Sequence, residues 1–413
     1  MSEWKKKQLQ EIAILKPTET LKKGDIAPNI PMANIKEFQR DVVKIDYGEF
    51  RGGTKFRNGD TLLAKITPCL ENGKTAFVNC LQEDEIGFGS TEFIVLRAKE
   101  NIDERFLYYL SISPEFRKQA ISLMEGTSGR KRVNENALKI TDFLIPDFEE
   151  QKKIANILSA IDDKISLNNQ INQELEAMAK TLYDYWFVQF DFPDENGKPY
   201  KSSGGKMVYN DQLKREIPEG WGVKRLGEIC NPTSGYPFAS NTYVQDGKFK
   251  IYTIKNVQDN GILPITDNTL DTLPANLPEK CILGPGDMLM SLTGNVGRVG
   301  IVFEDNALLN QRVLKIESKY KAFIFQFLKD PRTRSLLENT ATGTSQKNLS
   351  PKDVMDISII FPGFNVLIEF EQISNEILLQ ITSNNQQNQE LTQLRDWLLP
   401  MLMNGQVKVE DKT

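Results

Sequence analysis

The amino-acid sequence predicts a mixed α/β chain: two pseudo-symmetric globular domains separated by two long helices that form an antiparallel coiled coil. Three observations lead there. The chain is internally duplicated, each copy contains short alternating strand patterns, and each copy closes on a long amphipathic helical pattern.

The duplication shows as matched strings in one order. Trp4 to Ile12 (WKKKQLQEI) is echoed by Trp221 to Ile229 (WGVKRLGEI), 217 positions on. Ser113-Pro114 and Gly126-Thr127-Ser128 recur at the same distance as Asp330-Pro331 and Gly343-Thr344-Ser345. Ile145-Pro146 and the Asn168-Asn169-Gln170 run recur 216 positions on, as Phe361-Pro362 and Asn384-Asn385-Gln386. Gly59-Asp60 recurs as Gly286-Asp287, 227 positions on, because the first copy is shorter ahead of it. A unit this long is a domain pair, not a solenoid repeat of about 20–50 residues.

Each globular part, 1–147 and 217–363, reads as mixed α/β. The runs Thr91 to Leu96 and Gln311 to Ile316 have strand character, and the Gly-Asp turns each feed a strand. Phe106, Leu107 and Leu110 mark a helix, and Ser113 and Asp330, each followed by proline, are N-caps. The spacer helices are expected over 148–190 and 364–403, at about 55 Å for 37 residues. Their seam is Ile154, Ile157, Ile161, Ile165, Leu175, Met178 and Leu182, repeated as Phe370, Ile373, Ile377, Ile381, Leu391, Leu394 and Leu398. Midway, 168–173 and 384–389 are rich in Asn and Gln; they are read either as register-fixing polar layers or as solvated faces. Residues 191–216 form a turn-rich linker, and 404–413 a tail.

Composition narrows the function. With 39% hydrophobic and 26% charged residues the chain is globular, and no apolar run reaches the roughly 20 residues of a membrane span. The polar start of the chain leads to the expectation of a cytoplasmic protein with no membrane partner. There is no histidine, which removes His-dependent triads and dyads and mixed Cys/His zinc sites. Cys69, Cys80, Cys230 and Cys281 are too far apart for a CxxC pair and read as small core residues. The net charge of −5 requires any nucleic-acid-binding face to be local.

Several strings resemble one family. The segment Leu158 to Ile165 followed by Asn168-Asn169 looks like its central helix, and Trp186 to Pro193 like the exit from that helix. Glu216 to Trp221 looks like the entry to its second globular domain, and Leu398 to Gly405 like its distal end. With the duplication, the whole chain resembles the specificity subunit of Type I restriction–modification systems. The resemblance implies two target-recognition domains, each reading half of a split double-stranded DNA target. It implies that the helices set the unread gap and dock two copies of the modification (methyltransferase) subunit, and that a restriction subunit can join. It also implies a non-catalytic chain with no cofactor, S-adenosylmethionine belonging to the methyltransferase partner.

Candidate DNA contacts are the basic and amide residues of the two domains. In the first they are Arg51, Lys55, Arg57, Lys65, Lys74, Arg130, Lys131 and Arg132. In the second they are Lys248, Lys250, Lys255, Arg298, Thr344, Ser345, Gln346 and Lys347. The repeated Gly-Thr-Ser segment precedes Asn134 or Ser350, potential helix caps; it is either a phosphate-binding helix start or an ordinary capped turn. Asn231-Pro232-Thr233 departs from the amino-methyltransferase motif and is read as a turn; Gly294, Gly297 and Gly300 are read as a tight strand connection. Asp162-Asp163 is read as solvated helix charge. A bivalent protein–protein scaffold fits the long helices equally well, and matching positive patches on both domains discriminate DNA binding from it.

Overall fold

The computed structural model describes residues 4–127, 129–259, 261–343 and 346–409. They fall into two compact units, one made of residues up to Leu167 together with those from Asn388 onward, the other of Asn168–Gln387. Each unit therefore holds one globular head, the first part of one long helix and the last part of the other.

In the first unit the head carries two four-stranded sheets. One runs Ala13–Leu15, Phe93–Ala98, Thr61–Ala64, Thr75–Phe77, and is antiparallel throughout. The other runs Asp46–Glu49, Ile26–Ile30, Gly87–Gly89, Thr54–Phe56, with its central pair parallel. A ladder of Lys5–Gln8 with Asp142–Ile145 brings chain entry beside chain exit. The helix Glu104–Ile112 starts where the Asp103 carboxylate accepts from the Arg105 and Phe106 amides. The helix Pro114–Ser122 starts where the Ser113 hydroxyl accepts from the Phe116 amide, with proline at a position whose N–H needs no partner.

The second unit repeats this plan. Asn231–Ser234, Val313–Glu317, Met288–Ser291 and Val299–Ile301 form one sheet in the same order. Thr269–Leu270, Phe249–Tyr252, Ala307–Leu309 and Ile282–Leu283 form the other, again with a parallel central pair. The closing ladder is Gly222–Arg225 with Ser358–Phe361. Asn231-Pro232-Thr233 is thus an edge strand and not a turn; an edge tolerates a residue that cannot donate. In the helix Lys321–Lys329 the local cap is missing, and Glu371 supplies it from the second long helix, accepting from the Phe323 amide at 2.7 Å and the Ala322 amide at 3.2 Å.

The long helices are Phe148–Tyr183, continued by one π-turn over Asp184–Val188, and Phe364–Met403. They pair antiparallel. In the first unit Ile154, Ala155 and Leu158 share a core with Leu399, Leu402 and Met403. In the second, Asn168 donates to Gln387 at 2.8 Å, while Asn172 is bonded to Asn385 and Asn384. Asn168, Asn172 and Asn384 are buried, so the polar run is a bonded interhelical layer and not a solvated face.

The predicted seam is met in part. Ile154, Ile161 and Phe370 are buried, whereas Met178, Ile373 and Leu394 are 59%, 49% and 43% exposed. The buried positions recur instead as Leu158, Asp162, Asn168, Asn172, Ala179, Tyr183 and as Leu367, Phe370, Ser374, Leu378, Thr382. The seven-residue period itself holds, with Leu158, Asn172 and Ala179 on one helix and Leu367, Ser374 and Arg395 on the other separated by multiples of seven; Ile157, Met178, Ile373 and Leu394 each stand one residue before the buried position, at Leu158, Ala179, Ser374 and Arg395. Asp162 departs from its reading as solvated charge: it is 4% exposed, accepts from Arg395 Nη1 at 2.9 Å and from the Tyr109 hydroxyl at 2.7 Å. Burial acts to lower the Arg395 pKa, but Asp162 and Asp396 outweigh it and keep the guanidinium charged. Asp163 is exposed but also engaged, by buried Arg40 at 2.7 Å.

Two further expectations change. Residues 191–216 are folded: Phe192 stacks between Tyr200 and Trp221 at 4.6 and 5.0 Å, and Met207–Asn210 pairs with Arg215–Pro218. Turn formers set the bends, while the aromatic residues between them fill the second unit's core. Cys230 and Cys281 are buried as expected, but Cys80 is exposed.

Candidate nucleic-acid interface

The repeat places one loop at the same spot in each head. In the first, Met124–Glu125 pairs with Arg132–Val133, and the loop between them includes Gly126, Thr127 and Gly129 to Lys131. An isolated bridge joins Ile66 to Arg132, and the Thr67 amide donates to the Lys131 carbonyl at 3.0 Å. In the second, Thr342 and Thr293 both bridge to Asn348, and the Gly294 amide donates to the Lys347 carbonyl at 2.9 Å. Both loops are therefore fastened to the turn that follows the central strand of the antiparallel sheet. Both open on a glycine the backbone requires. Gly126 and Gly343 sit at φ +125° and +100°, and a Cβ on Gly343 would lie 2.3 Å from the Gln346 carbonyl oxygen.

An arginine supports the same turn in each head. Arg117 donates to the Glu71 carbonyl at 2.9 Å and lies over the Phe38 ring at 4.7 Å. Its equivalent Arg334 pairs with Asp259, which also holds Arg298 at 2.9 Å. Burial pushes the Asp259 carboxyl up, but Arg334 and Arg298 outweigh it and leave it below the usual range. Neither Arg117 nor Arg334 was singled out from the sequence. The signal was their shared place in the repeat, three residues after Pro114 and Pro331.

The predicted contacts separate by what they touch. Arg130 and Lys131 are exposed at the loop, and neither side chain is bonded or ion-paired among the described residues. Arg132 is committed to Glu92, with guanidinium–carboxylate distances of 2.7 to 3.1 Å. Arg51 pairs with Glu49 on the surface, and Arg57 is exposed. Three lysines are tied within the head: Lys55 donates to the Glu19 carbonyl, Lys74 to the Met32 carbonyl, and Lys65 is paired with Glu135. In the second head Lys248 lies 5.3 Å over the Phe249 ring, Lys255 is exposed, and Lys250 is paired with buried Glu304 at 2.7 Å. Gln346 is exposed, and Lys347 donates to the Glu338 carbonyl at 2.9 Å. Thr344 and Ser345 lie outside the described residues. The structure thus brings Arg130 with Lys131, and Gln346 with Lys347, to matching loops, while Arg298 lies in the turn that holds the second loop and is paired with Asp259; Arg51, Lys55, Lys248, Lys250 and Lys255 sit on the other sheet of their heads or beside it.

The segments following the loops are capped helices. Asn134 accepts from the Asn136 and Ala137 amides, and Ser350 from the Asp353 amide. The caps belonging to the capped-turn reading are therefore present.

Two copies of one recognition unit, each closing on its share of an antiparallel helix pair, define a bipartite recognition protein. A family model described as the Type I restriction modification DNA specificity domain matches residues 1–177 and again 218–393, and the chain belongs to that family. The match falls once on each copy of the repeat. Among known proteins, the HindI specificity subunit of Haemophilus influenzae is 27% identical over 407 residues, covering 85% of this chain and 87% of that protein. The MjaIX specificity subunit of Methanocaldococcus jannaschii is 28% identical over 323 residues, covering 76% and 71%. The crystal structure of the Type I restriction-modification system S subunit from M. genitalium shares the fold, with a TM-score of 0.57 at 18% identity over 100% of this chain and 97% of that one. No helix of the described residues is long and apolar enough to cross a membrane.

Proposed function

We propose that the chain is the DNA-reading subunit of a cytoplasmic Type I restriction–modification enzyme. Each head reads one half of a split double-stranded target, and the helix pair sets the unread gap. Two modification subunits dock on the helices and supply S-adenosylmethionine and the methyl-transfer chemistry; restriction subunits join that assembly. The observation that carries this reading is the recurrence, in both heads, of a loop fastened to the same turn and bearing a lysine, Lys131 or Lys347. Equivalent basic loops favour DNA over a purely protein-binding scaffold, because phosphates are common to both half-sites. Arg130, Lys131, Gln346 and Lys347 are the first contacts to test, with Arg57, Lys248 and Lys255 behind them. Arg132, Lys65, Lys250 and Arg298 already have carboxylate partners that DNA would have to displace.

The test is to co-express the chain with its cognate methyltransferase subunit and map adenine methylation on genomic DNA. One split motif with a fixed gap is expected, and exchanging residues 1–147 for those of a relative changes only one half of it. Methylation of a continuous motif, or no complex at all, overturns the reading.

A further inference from the structure

Each head receives the end of the long helix that belongs to the other half. The first head's core takes Leu399, Leu402 and Met403 beside Ile154 and Phe106. By the 216-residue offset their counterparts are Tyr183, Trp186 and Phe187. These pack against Phe323 of the second head and Phe370 of the second long helix, with the Phe187 ring centroid 4.8 Å from both rings. The two ends match in position and differ in size: two leucines and a methionine at one, three aromatic rings at the other.

Charge differs at the same ends. Asp162 and Arg395 form a pair 4% and 5% exposed in the first unit. Their counterparts are Leu378 and Ala179, both buried in the second unit. The antiparallel register that sets Asn172 against Asn384 and Asn385 carries Ala179 to the level of Leu378. An ion pair at one end is thus replaced by an aliphatic pair at the other.

We infer that these positions are a pairing key that makes each helix accept only the unlike half of the chain. Were a first half to pair with another first half, Asp162 would face Ala179 at both ends, leaving two buried carboxylates without a cation. Tyr183, Trp186 and Phe187 would also have to enter a space shaped for Leu399, Leu402 and Met403. Were two second halves to pair, Arg395 would face Leu378, and three aromatic-sized spaces would be underfilled. Uncompensated buried charge, overpacking and cavities each destabilise, so all the mismatches act against like-with-like pairing. The surface concerned lies within the helix pair, and its partner is the other half of the same sequence.

The test is a full-length chain in which residues 217–403 are replaced by a second copy of residues 1–187. It is compared with the parent, each with and without a key graft: Ala179→Arg, Tyr183→Leu, Trp186→Leu and Phe187→Met (in both copies of the chimera). Melting is followed by circular dichroism. The ungrafted chimera is expected to melt about 10 °C or more below the parent. The graft is expected to raise the chimera's melting temperature and lower the parent's. That reversal of sign separates a pairing key from four positions that merely need their native residues. An ungrafted chimera as stable as the parent, or a graft that destabilises both chains, overturns the inference. Stability is the readout, so the outcome is independent of DNA recognition.

Discussion

Removing the Asp162 carboxylate tests how the first head is fastened to the helix pair. In Asp162→Ala, Arg395 Nη1 and the Tyr109 hydroxyl lose their partner together. A hydrogen bond to a charged group contributes about 1.5–3 kcal/mol, and a buried hydroxyl left without a partner costs about 1–3 kcal/mol. Arg395 keeps Asp396 at 2.9 Å, but that carboxylate is 58% exposed and offsets little of the buried charge. The sum falls in the range of about 3–5 kcal/mol seen when one partner of a buried pair is removed. For a unit of this size it corresponds to a fall in melting temperature of about 10 °C. The companion variant replaces the whole cluster with apolar residues, taking two from the matching level of the second unit: Asp162→Leu, Arg395→Ala and Tyr109→Phe. Apolar replacement of a buried ion pair is often neutral, so the triple variant should lie within about 1.5 kcal/mol of the parent. Thermal and urea unfolding of the full chain, followed by near-ultraviolet circular dichroism, gives both values. A single substitution costing under about 1 kcal/mol, or a triple variant as damaged as the single, refutes the account of the cluster as a coupled buried network.

Other substitutions test the remaining claims. Asn172→Leu strips the Asn384 and Asn385 side chains of a shared partner inside the helix pair, and a loss of about 1–3 kcal/mol in urea unfolding is expected. Asp330 caps the helix Pro331–Thr340, and Arg332 holds its carboxyl below the usual aspartate range. A depressed folded pKa gives stability that is present above the unfolded value near 4 and lost as pH falls through the folded one. Asp330→Asn keeps a capping oxygen, so its deficit should be seen at pH 7 and shrink toward pH 3. If Arg130 and Lys131 each meet a phosphate, changing both to Ala lowers the salt dependence of DNA binding, the slope of log K against log salt, by about 2. An unchanged slope at unchanged stability would remove that loop from the interface. Gly343→Ala forces a side chain into the left-handed region against the Gln346 carbonyl and should weaken the second half-site selectively, which methylation mapping reads directly.

The sequence by itself determined the duplication, the two long helices and the proline-started helices at Ser113 and Asp330, because periodicity and capping are local and repeat with the chain. It also marked the Gly-Thr-Ser loops, since glycine is needed wherever the backbone turns left-handed. It did not show which lysines were free: Lys55, Lys65 and Lys74 look like surface charge in the string, yet carbonyls and carboxylates distant in sequence hold them. Asp162 looked solvated for the same reason, its partners Tyr109 and Arg395 lying 53 and 233 residues away. The period of the seam was legible, but four of its positions lie one residue further along, at Leu158, Ala179, Ser374 and Arg395, because the contact line passes through small, polar and charged residues that a search for apolar ones skips. Burial and pairing are set by groups that meet only after folding, so they belong to the tertiary structure. Chain-local geometry is set by neighbouring residues, so it was legible from the start.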